Sequence, residues 1–487
     1  MKHLLVFLSL AVLATSQQPT PQDLLKAVDG MFSFGVSDVG TFGPGNYLDW
    51  QVALAYNAII DAIDWGTDPT TRQRSARLDN ALTKVRTHIP DSLQQNEWND
   101  DNEWYGLMAI RYHETFGDTF DGAFTTQTGI NIQSNSFTTI YSNSPNYCGT
   151  VCAGNLMVDP IFHRHLTVSQ CNAYSWSDNK CYLKSKNETS ISASGYTSGV
   201  VIRNSTGANY LDIATNMWEK LNPKWIGQGC VKGAMTWKQG LDYFATISSN
   251  LNTVVSAKLY KYKKEQKYLD AALASNAFVE KWGRAGRDCV GDGVNGTSCK
   301  VNYDCTTYNL GIYIMGLSAL SEATGNMSYW NEGYRLAVME VKNKGWFDSK
   351  VPGVLGSPGP DCNDFSCFNG QLVRGISSLF TFNYNDRNGT VIPFLARQAE
   401  VIWNRDRLTN NTFGPIWIGP ANSSRVCDNQ CVLPGLFGGF IPYYQQRISI
   451  SVSVSTSTAD GSSLVPHLTF LATTVGSALF VLYSNSV

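Results

Sequence analysis

Apolar residues recur at helical spacing along most of the chain. Within residues 47–64, Leu48, Val52, Leu54, Ala55, Ile59, Ile60 and Ile63 fall on one repeating face. Residues 99–116 repeat the pattern with Trp104, Leu107, Met108, Ile110 and Tyr112. The same period predicts helices over 208–221, 243–262, 267–282, 308–323, 327–344, 368–382 and 391–403, separated by loops rich in Gly, Pro and Asn. Several of these helices come in pairs with almost no loop between them. Similar phrases open three of them: Tyr210-Leu211-Asp212, Tyr268-Leu269-Asp270 and Tyr329-Trp330-Asn331. Each sets an aromatic-aliphatic pair in a first turn, with an Asp or Asn near the positive helix end. Helix hairpins repeating every ~50 residues predict either a closed ring or an open solenoid, and periodicity alone does not choose.

One region breaks the rhythm. Residues 130–202 have no helical period over most of their length, are rich in Ser, Thr and Asn, and hold Cys148, Cys152, Cys171 and Cys181. Alternation around 173–176 and 182–184 predicts two strands joined by a turn. About 70 residues with two disulfides suffice for a small domain inserted between helices of the larger one.

Both ends read as processing signals. Lys2 and His3 precede an apolar run from Leu4 to Leu13, and Ala14-Thr15-Ser16 offers small residues for cleavage, so residues 1–16 read as a secretory signal. At the other end, a Ser/Thr-rich stretch over 448–463 leads into an apolar tail over 464–487, with no Lys or Arg after Arg447. Small residues before a hydrophobic terminus match a GPI-anchoring signal, with Asp460 or Gly461 as the attachment residue. A transmembrane helix would ordinarily be followed by cytoplasmic Lys or Arg. Secretion then accounts for the 12 cysteines as disulfides. It also gives meaning to seven N-x-S/T sequons, at Asn187, Asn204, Asn295, Asn326, Asn388, Asn410 and Asn422. The expected location is the cell surface or wall, with the membrane reached through the anchor. A net charge of −2 gives no basic footprint for nucleic acid. The six histidines stand at no zinc-finger spacing from the Cys-x3-Cys pairs, so no metal ligand is assigned and no cofactor is expected; Asp288, Asp292, Asp304, Asp361 and Asp364 lie in loops without EF-hand spacing and leave calcium open.

The strongest chemical signal is Trp98-Asn99-Asp100-Asp101-Asn102-Glu103-Trp104-Tyr105, adjacent aspartates between aromatics at the start of a strong helix. Helix capping explains acids there without catalysis. A carboxylate pair for glycoside cleavage explains them equally well: retaining enzymes need two carboxyl groups ~5 Å apart. Two neighbouring acids also repel, which keeps a proton available on one of them.

This stretch resembles the Asp-Asp helix of glycoside hydrolase family 76, the α-1,6-mannanases and their wall-remodelling fungal relatives. Gly233-Ala234-Met235-Thr236-Trp237 resembles the family's Gly-Gly-x-x-Trp phrase, and residues 242–262 the helix that follows it. Thr307-Tyr308-Asn309-Leu310-Gly311 resembles Thr-Tyr-Asn-Gln-Gly, and Trp417-Ile418-Gly419-Pro420 resembles Trp-x-Gly-Pro. The likeness covers most of 20–128 and 204–447, in order. It implies a mainly α protein, an (α/α)6 barrel formed by 17–128 and 204–447, and a retaining mechanism on α-1,6-linked mannose. Asp100 would be the nucleophile and Asp101 the general acid/base. Trp98, Trp104, Tyr105 and Trp237 would line sugar subsites, with Tyr308 and Asn309 near them. The signals at the two ends resemble the GPI-anchored Dfg5/Dcw1-like members, which are implicated in joining GPI glycoproteins to wall glucan. The implied donor is mannan or a GPI-type glycan, and the implied acceptor β-glucan. The reading is a hydrolase or transglycosidase; a non-catalytic wall-binding protein is the rival from another class. Ile247-Ser248-Ser249-Asn250-Leu251, Met235-Thr236 and Leu310 depart from the family's usual residues.

The segment 129–203 resembles a PAN/apple domain, a small disulfide-linked α+β unit. The likeness rests on Cys148-x3-Cys152, Cys171-x-Ala173-Tyr174-Ser175-Trp176 and Cys181-Tyr182-Leu183-Lys184. The resemblance implies nested pairing, Cys148–Cys181 and Cys152–Cys171, and binding to wall polysaccharide or protein.

Overall fold

The computed structural model describes residues 18–38, 41–43, 49–65, 81, 97–116, 210–221, 231–232, 234–342, 344–356, 364–421 and 426–456. It also describes the strands between 123 and 202, and residues 473–475 and 478–480. Residues 1–16, Asp460, Gly461, Asn187, Asn204, Asn422, Cys148, Cys152 and Cys171 lie outside the described set, and with them both expected cysteine pairings.

Six helices form the inner wall of a barrel. They are α2 (Asp49–Trp65), α3 (Asn99–Phe116), α5 (Thr246–Lys263), α7 (Thr307–Thr324), α9 (Asp364–Phe382) and α11 (Val426–Thr456). Each packs on the next in this order, and α11 packs back on α2, so the ring closes. That settles the choice that periodicity left open: the fold is an α/α barrel, not a solenoid. The outer helices are α1 (Pro21–Phe32), α4 (Tyr210–Leu221), α6 (Gln266–Phe278), α8 (Met327–Lys342) and α10 (Val391–Arg405). Helix α4 sits against α3 and α5, where Tyr210 stacks on Tyr112 with ring centroids 3.8 Å apart. Trp218 Nε1 donates to Ser256 Oγ at 2.7 Å on the other side. Helix α1 starts with a capping box: the Thr20 hydroxyl accepts from Asp23 N–H, and the Asp23 carboxylate accepts from Thr20 N–H.

The ring is tight where glycines let backbones touch. A Cβ on Gly375 in α9 would lie 1.9 Å from the carbonyl oxygen of Gly311 in α7, and one on Gly311 would lie 2.4 Å from that of Gln371. Helix α11 shows why its sequence does not look helical. Its Pro434, Gly435, Gly438, Gly439 and Pro442 read as loop punctuation, yet they sit inside the helix. Gly438 meets the Arg374 backbone, Gly439 the Leu395 carbonyl and Gly435 the Trp417 ring. Close packing on three neighbours outweighs the poor helix propensity.

Two other boundaries shift for local reasons. Residues 243–245 are a strand, β7 (Tyr243–Ala245), rather than the start of α5. It pairs antiparallel with β8 (Gly293–Asn295), which pairs with β9 (Val301–Asn302). After α6 the chain continues as a π-helical turn, Val279–Arg284. Between α3 and α4 the non-helical region forms an antiparallel sheet, with strands β1 (Ala123–Phe124), β2 (Gln127–Ile132), β3 (Ser136–Tyr141), β4 (Ala173–Ser177), β5 (Lys180–Lys184) and β6 (Ser190–Ile202). The expected hairpin is β4–β5, in register from Ala173 opposite Lys184 to Ser177 opposite Lys180. Of the sequons within the described residues, Asn326, Asn388 and Asn410 are exposed and Asn295 is half-buried.

Charged side chains cross-link the inner helices at the end where α3 and α5 finish. Asp61 accepts from Arg111 Nε at 2.7 Å and from Arg374 Nε at 3.1 Å. Glu114 accepts from Lys258 at 2.6 Å, and Lys261 reaches Glu322 at 2.7 Å. Although Glu114 is buried, the charges of Lys258, Lys261 and Arg111 hold its carboxyl far below the usual range.

A different buried acid follows α10. Asp406 is fully buried, its Oδ1 accepts from Gly414 N–H at 3.2 Å, and its Oδ2 has no partner. Burial, with the nearby Asp428 charge, pushes its pKa up from 3.8 to about 9. The unfolded chain therefore releases this proton first, and the folded state loses stability as pH rises from about 4 to about 9.

Gly375→Ala lowers unfolding free energy by ~3 kcal/mol or more in urea titrations. Gly106→Ala, whose added methyl meets nothing closer than 3.8 Å, is neutral or stabilising. Asp406→Asn keeps the shape of the neutral acid, so it flattens the fall of stability between pH 5 and 8 by up to ~1.4 kcal/mol per pH unit. Thermal or urea unfolding at a series of pH values checks this.

Candidate active site

The mouth of the barrel is where α3, α5 and α7 begin. The backbone before α3 is fixed by a short antiparallel bridge to the segment before β7. Trp98 pairs with Lys238, Asn99 N–H donates to Trp237 O at 2.9 Å, and Gln239 N–H donates to Glu97 O at 2.8 Å. The Asn99 side chain adds a bond from Nδ2 to Thr236 O at 2.6 Å. Lys238 lies over the Trp98 ring at 4.6 Å and pairs with Glu97 at 2.8 Å. These contacts fix the first turn of α3 before any regular helical bond can.

Asp100 and Asp101 occupy that first turn, where the helix dipole favours negative charge. Asp100 is 8% exposed and its Oδ2 accepts from Trp237 Nε1 at 3.2 Å. Asp101 is half-buried. The Trp237 ring is held from two sides, by Trp98 at 4.5 Å between centroids and by Tyr243 edge-on at 6.3 Å. Tyr243 in turn donates to Asp292 Oδ2, and burial followed by this bond pushes the phenol pKa well up. One chain of contacts therefore runs from Asp292 through Tyr243 and Trp237 to Asp100.

The loop around Asp292 is tied down onto the same mouth. Gly291 O accepts from Thr246 Oγ1 at 2.5 Å at the start of α5, and from Asn309 Nδ2 at 3.5 Å at the start of α7. Cys289–Cys305 closes this loop. Next around the ring, Tyr308 stacks on Phe368 with centroids 3.9 Å apart and planes 11° apart. Thr307 Oγ1 donates to Asn369 Oδ1 at 3.0 Å, and Cys367–Cys431 joins α9 to α11.

The residues singled out from sequence thus fall into two groups. Asp100, Asp101, Trp98, Trp237 and Tyr308 stand at the mouth, with the aromatics partly exposed. Trp104, Tyr105 and Asn309 are 1%, 5% and 0% exposed. Trp104 packs against Trp50 in the core, and Asn309 acts as a brace for the Gly291 loop. The sequence assigned no site role to Tyr243, Asp292, Phe368 or Glu103. Glu103 carried a signal, since it stands three residues after Asp100 and so on the same helix face. Asp292 carried none, because only the fold brings its loop to Trp237. Among the described residues no group of three His, Cys, Asp or Glu side chains is arranged to hold a metal ion.

The family model for glycosyl hydrolase family 76 matches residues 196–431. The chain carries a glycosyl hydrolase family 76 domain. The matched residues include Trp237, Tyr243, Asp292 and Tyr308 and begin after α3, so the acid pair joins the domain through the bridge to residues 236–239. Solved structures extend the likeness to the whole barrel. An α-1,6-mannanase of Salegentibacter sp. is 17% identical, with a TM-score of 0.59 over 86% of this chain and 98% of that one. An inactive variant of that mannanase in complex with α-1,6-mannotetrose gives a TM-score of 0.60 at 15% identity, over 87% and 99% of the two chains. Dfg5 from Chaetomium thermophilum, in complex with glucosamine, gives 0.59 at 14% identity, over 88% and 93%. No curated protein matches the sequence.

The Trp237–Asp100 bond yields a direct test. Trp237→Phe keeps the ring but removes the N–H, and should lower kcat on a cleaved glycan ~10- to 100-fold with a smaller change in KM. Steady-state kinetics of the two proteins check it.

Proposed function

We propose that this protein cleaves α-1,6-linked mannose with retention, using Asp100 as nucleophile and Asp101 as general acid/base. The observation that carries this reading is the acid pair held at the barrel mouth, with Asp100 anchored by Trp237 Nε1. The family 76 domain and its likeness to mannanase structures support it. Asp100 attacks the anomeric carbon as Asp101 gives its proton to the departing glycosidic oxygen, leaving a glycosyl-enzyme. Asp101, now a base, takes a proton from the incoming hydroxyl. Trp98, Trp237 and the Tyr308–Phe368 stack supply partly exposed aromatic faces for sugar rings.

Likeness to Dfg5 favours a second reading, in which the incoming hydroxyl belongs to a β-glucan acceptor and the donor is a GPI-type glycan. Both readings place the protein at the cell surface in wall biogenesis, anchored through Asp460 or Gly461 and glycosylated at its sequons. The sheet between α3 and α4 would then be a PAN/apple-like module that holds wall polymer or protein near the mouth.

Incubation with α-1,6-mannooligosaccharides, with and without β-glucan oligosaccharides, followed by mass spectrometry, tests the proposal. Shorter mannosides signify hydrolysis and mannosyl–glucan hybrids signify transfer. Asp100→Asn should lower either rate at least ~10³-fold. Undiminished binding without turnover in the unaltered protein would instead favour a non-catalytic wall-binding role.

A further inference from the structure

Glu103 is a third carboxyl on α3, one turn farther into the barrel than Asp100. Around α3, Gly106 packs on Val255 of α5, and Trp104 and Arg111 pack on Trp50 and Asp61 of α2. Those contacts leave Asp100, Glu103 and Leu107 on the stripe that faces the barrel axis. Glu103 is 3% exposed, and its Oε2 has no hydrogen-bond partner.

Two further amides stand on helices of the inner wall, Gln371 on α9 and Gln430 on α11. Gln371 precedes Leu372, against which Gly311 packs, and follows Gly370, which packs on α11. Gln430 precedes Cys431, whose carbonyl Gly370 meets. Both glutamines are 0% exposed, and neither the oxygen nor the nitrogen of either amide has a partner. Buried polar atoms of this kind are ordinarily satisfied by bound water, and these lie on three helices of the inner wall.

We propose that Glu103 is a positioning residue for the acid pair: its carboxyl donates a hydrogen bond toward Asp100 through water held with Gln371 and Gln430. Such a donor keeps the Asp100 carboxylate charged and aimed at the mouth. The inference rests on the reading of Asp100 as nucleophile. Burial, and then the charge of Asp100, hold the Glu103 carboxyl well above the usual range, in keeping with a neutral donor. The other charged groups facing the interior are Asp101 above, and Asp61, Arg111, Glu114, Lys258 and Arg374 farther in. The latter five are bound to one another in the ion-pair network. None of these pairs includes Glu103.

Infrared difference spectroscopy and kinetics on the full-length protein test the proposal. At neutral pH a protonated-carboxyl C=O stretch distinct from that of Asp406, which Asp406→Asn identifies, should be present, vanish in Glu103→Gln, and shift in Asp100→Asn. Glu103→Gln, which still donates, should keep kcat within ~3-fold at the optimum but move the alkaline limb of the pH profile. Glu103→Leu should lower kcat about tenfold or more with KM little changed. Absence of the band, or a band unmoved by Asp100→Asn, overturns the proposal. So does a wild-type kcat and pH profile in a folded Glu103→Leu; should that variant fail to fold, Glu103→Gln decides. If the unaltered protein turns over no α-mannoside, the proposed function fails while the infrared result still decides the role of Glu103.

Discussion

Everything at the mouth of this barrel depends on one short backbone bridge. Residues 97–99 pair with 236–239, and the Asn99 side chain caps the arrangement on Thr236. A helix start is where backbone N–H groups lack partners and side chains are least constrained. Here the chain on either side of that start is held by bonds to a segment 137 residues away. The two aspartates are therefore presented by a braced turn rather than a frayed one. The same segment carries Trp237, so one bridge fixes both the acid and the donor that orients it. The bridge also allows the sheet between α3 and α4 to be a detour in the chain without loosening the site.

The interior of the ring is graded. At the mouth lie carboxylates, aromatic faces and a disulfide-closed loop. One turn in from Asp100 lies Glu103, and Gln371 and Gln430 on α9 and α11 are likewise polar and buried. Farther in, Asp61, Glu114, Arg111, Lys258 and Arg374 form mutual ion pairs across α2, α3, α5 and α9. Breaking one member of such a network leaves its partner charged in a poor solvent, which costs stability. The glycine contacts between α7 and α9 close the ring tightly enough for these groups to reach one another. The two aspartates at the mouth thus stand above polar packing, not above a hydrocarbon core alone.

Most helices were legible in the sequence because each buries one face, and burial imposes a 3.6-residue period. Closure of the ring was not, since it depends on which helix meets which, and periodicity carries no such information. Helix α11 was hidden by Pro434, Gly435 and Gly439, whose value lies in close contact with α9, α10 and Trp417 rather than in propensity. Strand β7 read as helix because Tyr243 and Phe244 continue the apolar period of α5; only pairing with Gly293–Asn295 reveals them. At the site, Asp100 and Asp101 stood out because two acids between tryptophans are unusual. Trp104 and Tyr105 looked equally suited to sugar, but the helical period turns them into the core. Asp292 and Phe368 became visible only once the loop and the α7–α9 contact were in place.

The central claim is that the barrel mouth, with Asp100 and Asp101 at its floor, is where the glycan binds. A crystal structure of the Asp100→Asn, Asp101→Asn protein with α-1,6-mannotriose tests it most directly. The account predicts an oligosaccharide across the mouth, a glycosidic oxygen within hydrogen-bond reach of residue 101, and a sugar ring against Trp237 or Tyr308. An oligosaccharide bound only on the sheet between α3 and α4, with the mouth empty, would contradict it.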